Sequence, residues 1–426
     1  MDLIIENKNK LNGEITIPSD KSISHRAIMF SSLAKGKTLV KNFSKGADCH
    51  STLNVFSELG IEHKFLNEQT LEIISDGKLK KPLKDLDCGN SGTTMRLMSG
   101  ILATRDFNSV LVGDESLSKR PMKRVIEPLS LMGAEITSND NKAPLKIYGK
   151  DLNAIDYTSK LSSAQVKSCI LLAGLNTDGI TTYTEPFLSR NHTELMLEYL
   201  GADVQVENTT TKITKSELEA KDIEIAGDIS SAAFFIVAGL IVPNSDIIIK
   251  NVGLNPTRTG ILEVCEKMGA NIEILDKKLL GKEEVGDLRI KTSELKATTI
   301  EGDIIPKLID EIPVIAVLAT QAEGETIIKD AQDLRNKESD RITATVKELQ
   351  KIGADIEETP DGFIIRGKKQ LKGNAEVETY HDHRLAMSLY VAGLICEKPI
   401  KINEFQWVNI SFPEFEEMMK KLKNKC

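Results

Sequence analysis

The hydrophobic and polar positions of this chain fall into one pattern, repeated six times. Each time a polar or charged opening leads into a strongly apolar helix, followed by a short strand, a second helix and two further strands. The apolar helices begin near Lys21, Gly89, Ser162, Gly227, Ile309 and Asp382, so successive starts lie 68, 73, 65, 82 and 73 residues apart. In the first copy, Ile23, Ala27, Ile28, Phe30, Leu33 and Ala34 form a broad apolar face, and Gly36 is expected to stop the helix. A strand is predicted over 38–43. Asp48 is then a candidate N-cap for a helix carrying Leu53, Phe56 and Leu59 at helical spacing. Gly60 should end that helix, before a strand pair over 61–66 and 70–74.

The second helix of each unit ends in a recurring phrase: Leu59-Gly60-Ile61, Met132-Gly133-Ala134, Leu200-Gly201-Ala202, Met268-Gly269-Ala270 and Ile352-Gly353-Ala354. Glycine there supplies a left-handed C-cap, and the next residues open a strand. The sixth copy stops after a helix over 415–422. Solenoid repeats are shorter, about 20 to 50 residues, and an open stack needs capping ends that this pattern lacks. The pattern therefore predicts an α/β (α+β) chain of two closed domains with three units each, parting near Ala226-Gly227-Asp228. The expected N-terminal domain is 20–226. The expected C-terminal domain is 227–426 plus 1–19, because a strand over 11–18 precedes the first unit and is free to complete the second domain.

Length agrees with two domains, since 426 residues exceed one ordinary core and a prior of about 100 to 200 residues per domain gives two or three. With 40% hydrophobic and 28% charged residues, wholesale disorder is excluded. The longest apolar runs, such as 232–242, are too short to span a bilayer and read as buried helices. Residues 1–10 lack the apolar core of a secretory signal, so a cytoplasmic enzyme is expected. Cys49, Cys88, Cys169, Cys265, Cys396 and Cys426 form no CxxC pair and read as small core residues in a reducing compartment. A net charge of −8 and 4% aromatic residues argue against a nucleic-acid partner. Basic residues gathered at helix starts within an acidic chain point instead to a small anionic ligand.

Those helix starts carry the candidate chemistry. Pro18 to Arg26 places Lys21, Ser22 and Arg26 within about one turn of a helix start: a compact cation, a hydroxyl and a guanidinium fork suited to carboxylate or phosphate. Alone, this segment reads equally well as a solvated helix end with a serine cap. Asp87-Cys88-Gly89-Asn90-Ser91-Gly92-Thr93-Thr94-Met95-Arg96 is a glycine-rich turn feeding a helix, where bare backbone N–H groups approach an anion closely. It is neither a Walker A motif nor a Rossmann fingerprint. The alternative is a small-residue helix contact. In Lys119-Arg120-Pro121, proline is expected at the first helical position, with Arg120 at the positive helix end.

Leu334 to Arg341 is denser in charge, and by itself reads as a surface salt-bridge network. Tyr380-His381-Asp382-His383-Arg384 places two histidines two apart without further ligands at familiar spacing, so no metal is expected. Asp310-Glu311 opens an apolar helix over 312–319, as a helix cap or a proton-transfer group. The unit starting at Gly227-Asp228 reads as chiefly structural.

Together these segments resemble the 5-enolpyruvylshikimate-3-phosphate synthase family, over Lys21 to Pro413. Residues 87–100 look like the family's first signature and 335–342 like its second. The resemblance implies two domains of three βαβαββ repeats each, an inside-out α/β barrel of the enolpyruvyl transferase type, with helix N-termini facing an interdomain cleft that holds the active site. It implies transfer of the enolpyruvyl group of phosphoenolpyruvate to the 5-hydroxyl of shikimate 3-phosphate, by addition and elimination, with no metal or organic cofactor and in a monomer. Carried over residue by residue, Lys21, Gly92, Arg120, Gln165, Arg341 and Arg384 resemble the phosphoenolpyruvate site. Lys21, Ser22, Arg26, Ser163, Gln165, Arg190, Asp310 and Lys337 resemble the shikimate 3-phosphate site, and Asn90 and Ala164 join the substrate-binding set. Asp310, Glu338 and Lys21 are the implied acid–base groups, their roles undivided.

Four phrases resemble the family's class II, often insensitive to the inhibitor glyphosate: Arg190-Asn191-His192-Thr193-Glu194, Gly227-Asp228-Ile229-Ser230, Ser163-Ala164-Gln165-Val166-Lys167 and Asn255-Pro256-Thr257-Arg258. Two departures stand out. Some strongly tolerant members carry alanine where this chain has Gly92, and the lysine expected near Asn409-Ile410-Ser411-Phe412-Pro413 is missing. The nearest rival, enolpyruvyl transfer to UDP-N-acetylglucosamine, typically uses a loop cysteine near the position of Arg120, and 114–119 contains none. RNA 3′-phosphate cyclases share part of the architecture but would need a histidine nucleophile in context. A catalytically silent anion-binding module would have lost charges at several helix starts, and nearly all are present.

Overall fold

A computed structural model describes residues 1–423. The chain forms two units. One comprises Ser19–Ala226 with Leu279–Glu283, and is called the N-terminal domain here; the other comprises Met1–Pro18, Gly227–Lys278 and Glu284 onward. Among the described residues no helix is long and apolar enough to cross a membrane.

Each domain is built around three apolar helices, one per repeat. In the N-terminal domain these are Lys21–Leu33, Gly92–Ala103 and Ala164–Gly174; in the C-terminal domain they are Ile229–Ile241, Ile312–Ala319 and His383–Gly393. Ile229–Ile241 buries every residue except Ser231, and Ile312–Ala319 buries all of its residues, as expected of helices apolar all round. Close approach is set by glycine: a Cβ on Gly100 would meet the Cys169 carbonyl oxygen at 2.1 Å. Five of the six starts are capped by the side chain just before the helix, namely Asp20, Ser91, Ser163, Asp228 and Asp382. The sequence periodicity thus becomes three buried helices per core, each with a polar residue at its N-terminus, and Ile312–Ala319 alone of the six lacks a side-chain cap.

The sheets repeat one plan. In the second unit, Leu86–Asp87 runs parallel to Asn108–Val112, which pairs antiparallel with Lys142–Tyr148, itself antiparallel to Glu135–Asn139. The third repeat (Asp156–Thr158, Ile180–Thr184, Thr210–Thr214, Val204–Glu207) and the fifth (Thr299–Ile300, Glu325–Ile328, Gly362–Arg366, Asp355–Thr359) follow it. The first and fourth repeats borrow their parallel strand. Leu218–Glu219 and Ile223–Glu224, from the end of the N-terminal domain, pair with Ala34–Lys41, and Asn12–Thr16 pairs with Asp246–Gly253. In the sixth, Leu3–Ile5 lies antiparallel to Ile400–Ile402, the place a later strand holds elsewhere. Sequence pattern gave no sign of that strand, because three residues carry no period.

Glycines in the recurring phrase adopt the expected left-handed backbone, with φ of +85° at Gly60, +94° at Gly133, +98° at Gly201, +82° at Gly269 and +99° at Gly353. Two local expectations are corrected. Gly36 does not stop the first helix, which ends at Leu33 with the Ala34 N–H still donating to the Phe30 carbonyl. Gly36 lies inside the strand Ala34–Lys41 at φ +132°, where a Cβ would come within 2.9 Å of Ala220 Cβ, so glycine lets the borrowed edge strand approach. Nor is Asp48 an N-cap. The helix Ala47–Glu58 is capped by Gly46, and Asp48 sits in its first turn, where the helix dipole still favours a carboxylate and where Lys21 reaches it.

Candidate active site

The helix starts of the N-terminal domain assemble a cationic, amide-rich set. Lys21, the first residue of its helix, places Nζ 2.9 Å from Asp48 Oδ2. One turn on, Arg26 is buried: its Nε donates to Thr193 Oγ1 at 2.7 Å, Nη2 to Ser168 Oγ at 2.8 Å and Nη1 to the Ser22 carbonyl at 3.0 Å. Burial pulls this guanidinium down to about 10, with nearby Glu194 opposing the fall. Two of its five N–H groups thus tie the first repeat to the third, and another bonds back within its own helix. Arg190, half-buried two residues before the helix His192–Tyr199, adds a second positive charge that acts on Arg26.

The glycine-rich turn supplies the next layer. Gly92 opens its helix beside two guanidinium groups, since a Cβ there would lie 3.0 Å from Arg96 Nη1 and 3.6 Å from Arg120 Nη1. Arg120 Nη2 donates to Asn90 Oδ1 at 2.8 Å, and Asn90 Nδ2 to Asp114 Oδ2 at 2.7 Å. Arg96 Nη1 donates to Gln165 Oε1 at 2.6 Å while Gln165 Nε2 donates to Thr93 Oγ1 at 3.0 Å, so the amide is clamped from both ends. Ser163 caps the helix that Ala164 opens, accepting from the Val166 N–H at 3.5 Å. Pro121 does not begin a helix. Arg120 ends the short helix Glu115–Lys119, and Met122 is the cap of Lys123–Leu131, because the 120–122 backbone leaves one helix before the next starts.

In the C-terminal domain an acid–base cluster gathers around Arg341. This guanidinium is 1% exposed and bonded through every nitrogen: Nε to Asp382 Oδ2 at 2.7 Å, Nη1 to Asp310 Oδ1 at 3.4 Å, Nη2 to Glu338 Oε2 at 2.6 Å. Burial would lower the Arg341 pKa, but Asp382, Glu338 and Asp310 outweigh it and hold it above the ordinary value. Burial would likewise raise Asp382, and Arg341 with His383 keeps that carboxyl below its ordinary range. His383 is pushed down to about 4 by burial and so is neutral near pH 7. Lys337 Nζ stands 3.6 Å from the same Asp310 Oδ1, so two cations meet one carboxylate oxygen. Arg384 Nη1 lies 3.4 Å from the Asp310 carbonyl and 3.8 Å from Glu311 Oε1.

The charge run at 334–341 therefore divides. Arg335 makes the surface network, with Asp340 and Glu358 each at 2.9 Å, whereas Lys337, Glu338 and Arg341 turn to Asp310 and its neighbours. Sequence reasoning missed Asp48 as the partner of Lys21, Arg96 and Thr93 as the clamp on Gln165, and Asp382 as the anchor of Arg341. Arg96, Thr93 and both aspartates had a signal, their place at a helix start, but nothing in the sequence paired them with these partners.

The model of the family EPSP synthase (3-phosphoshikimate 1-carboxyvinyltransferase) matches residues 5–419. The chain is 53% identical over 422 residues to the 3-phosphoshikimate 1-carboxyvinyltransferase of Bacillus subtilis, covering 97% of this chain and 98% of that one. With the enzyme of the same name from Bacillus licheniformis it shares 51% over 425 residues, covering 98% and 99%. A solved structure of EPSP synthase from Acinetobacter baumannii superposes with a TM-score of 0.90 at 41% identity, covering 99% of this chain and 98% of that one. Fold and sequence agree over nearly the full length. The two-domain, inside-out α/β architecture is the one these relatives share, and the chain belongs to the EPSP synthase family.

Proposed function

We propose that this chain transfers the enolpyruvyl group of phosphoenolpyruvate to the 5-hydroxyl of shikimate 3-phosphate and releases phosphate, as a cytoplasmic monomer of the shikimate pathway. The observation that carries the reading is Asp310, a carboxylate met by Lys337 Nζ at 3.6 Å and Arg341 Nη1 at 3.4 Å at the start of an apolar helix. Both substrates are polyanions, and holding them side by side needs many cations. Doing so makes a bimolecular step effectively unimolecular. Lys21, Gly92, Arg120, Gln165, Arg341 and Arg384 serve phosphoenolpyruvate, with Asn90 orienting Arg120. Lys21, Ser22, Arg26, Ser163, Ala164, Gln165, Arg190, Asp310 and Lys337 serve shikimate 3-phosphate. Both lists draw on both domains. Glyphosate, itself a small anion, is the inhibitor to assay against the phosphoenolpyruvate set.

In the addition step, the 5-hydroxyl oxygen bonds to C2 of phosphoenolpyruvate and passes its proton to Asp310. Glu338 or Lys21 delivers a proton to the methylene carbon, giving a tetrahedral adduct. In the elimination step the methyl carbon returns a proton and the C–O bond to phosphate breaks. Arg341 bonds both Asp310 and Glu338, so it fixes the spacing of two acid–base groups as well as adding charge.

Phosphate release should require phosphoenolpyruvate and shikimate 3-phosphate together. In Asp310→Asn, turnover should fall about 10²- to 10⁴-fold while shikimate 3-phosphate binding changes little. Release with UDP-N-acetylglucosamine as acceptor, or unaltered turnover of the variant, would sink the reading.

A further inference from the structure

The fourth repeat holds a buried polar chain that the substrate assignments leave unused. Asp228 caps the helix Ile229–Ile241 and receives Arg258 Nη2 at 3.1 Å. The same Nη2 donates to Ser230 Oγ at 2.6 Å, and Ser230 Oγ donates to Glu311 Oε1. A serine hydroxyl has one proton and a guanidinium has no acceptor, so Arg258 on the oxygen directs that proton to Glu311. Glu311 is 1% exposed, its Oε2 has no hydrogen-bond partner among the described residues, and its Oε1 stands 3.8 Å from Arg384 Nη1. A buried carboxylate is costly unless paired, so the Ser230 hydroxyl and the nearby Arg384 charge set where this carboxylate sits.

At 3.8 Å the attraction is Coulombic and consumes no N–H donor. Among the described residues neither Nε nor Nη2 of Arg384 makes a hydrogen bond, whereas every nitrogen of the Arg341 guanidinium does. Arg384 is thus steered by charge with its donors left for a ligand. We propose that Glu311 is a positioning residue for Arg384, itself fixed by Ser230 and Arg258, so that two of the class II-like phrases act on phosphoenolpyruvate from behind the site. This rests on the assignment of Arg384 to phosphoenolpyruvate.

The test is steady-state kinetics of Glu311→Gln, Ser230→Ala, Ser230→Thr, Arg384→Lys and the Glu311→Gln/Arg384→Lys double variant, varying each substrate. Glu311→Gln should raise KM for phosphoenolpyruvate about tenfold and leave that for shikimate 3-phosphate within about twofold. Ser230→Ala should shift it the same way by about threefold, and Ser230→Thr, which restores the hydroxyl, should not. The double variant should be no worse than Arg384→Lys alone. Equal changes in both KM values, effects that multiply in the double variant, or no change at all while Arg384→Lys alone raises the phosphoenolpyruvate KM, would overturn the positioning role. If Arg384→Lys leaves that KM unchanged, the assignment of Arg384 fails first and the proposal falls with it. Should Glu311→Gln fail to fold, the Ser230 pair carries the same comparison.

Discussion

Gly92 is where the smallest change reaches the most charge. An added methyl would press on Arg96 Nη1 at 3.0 Å and approach Arg120 Nη1 at 3.6 Å, both at the ends of flexible side chains. Gly92→Ala should therefore fold normally but raise KM for phosphoenolpyruvate about three- to tenfold by displacing Arg96 and with it Gln165, as initial-rate kinetics would show. An unchanged KM beside a lowered melting temperature would mean that the methyl disturbs packing instead. Residue types at the helix starts were legible, because cap and cation patterns are local. Their partners were not. Lys21 meets Asp48 across 27 residues, Arg341 meets Asp382 across 41, and Arg96 meets Gln165 across 69, separations that no spacing rule connects.

Among elements, the second helices end alike for a backbone reason. Gly201 shows it without interference, since φ is +98° and a Cβ would meet nothing within 4 Å among the described residues. Gly201→Ala should then cost about 1–2 kcal/mol from left-handed strain alone, read as a lower midpoint in urea at unchanged slope. A neutral result would show that the turn relaxes. Helix ends were less legible than helix bodies. Gly36 and Pro121 look like a stop and a start, but one makes room for Ala220 and the other lies between two helices. Glycine and proline record local backbone demands, and a close approach from 184 residues away makes the same demand as a C-cap.

At the scale of the molecule, closure of each domain depends on borrowed strands. Ile5 is 3% exposed in the strand on Ile400–Ile402 and packs where Gly393 has no side chain, a Cβ there lying 2.8 Å from Ile5 Cγ2. Ile5→Ala should cost about 2–4 kcal/mol. Hydrogen exchange should speed up in His383–Gly393 and not in Lys21–Leu33; equal loss in both would show that residues 1–18 do not belong to one domain's core. By itself the sequence determined the sixfold repeat, the apolar helices and the polar chemistry at their starts, because periodicity and capping act within a few residues. Only the tertiary structure decided which strand closes which sheet and which carboxylate faces which cation. Those choices are made by packing between distant segments, where burial makes a charge costly until a particular partner answers it.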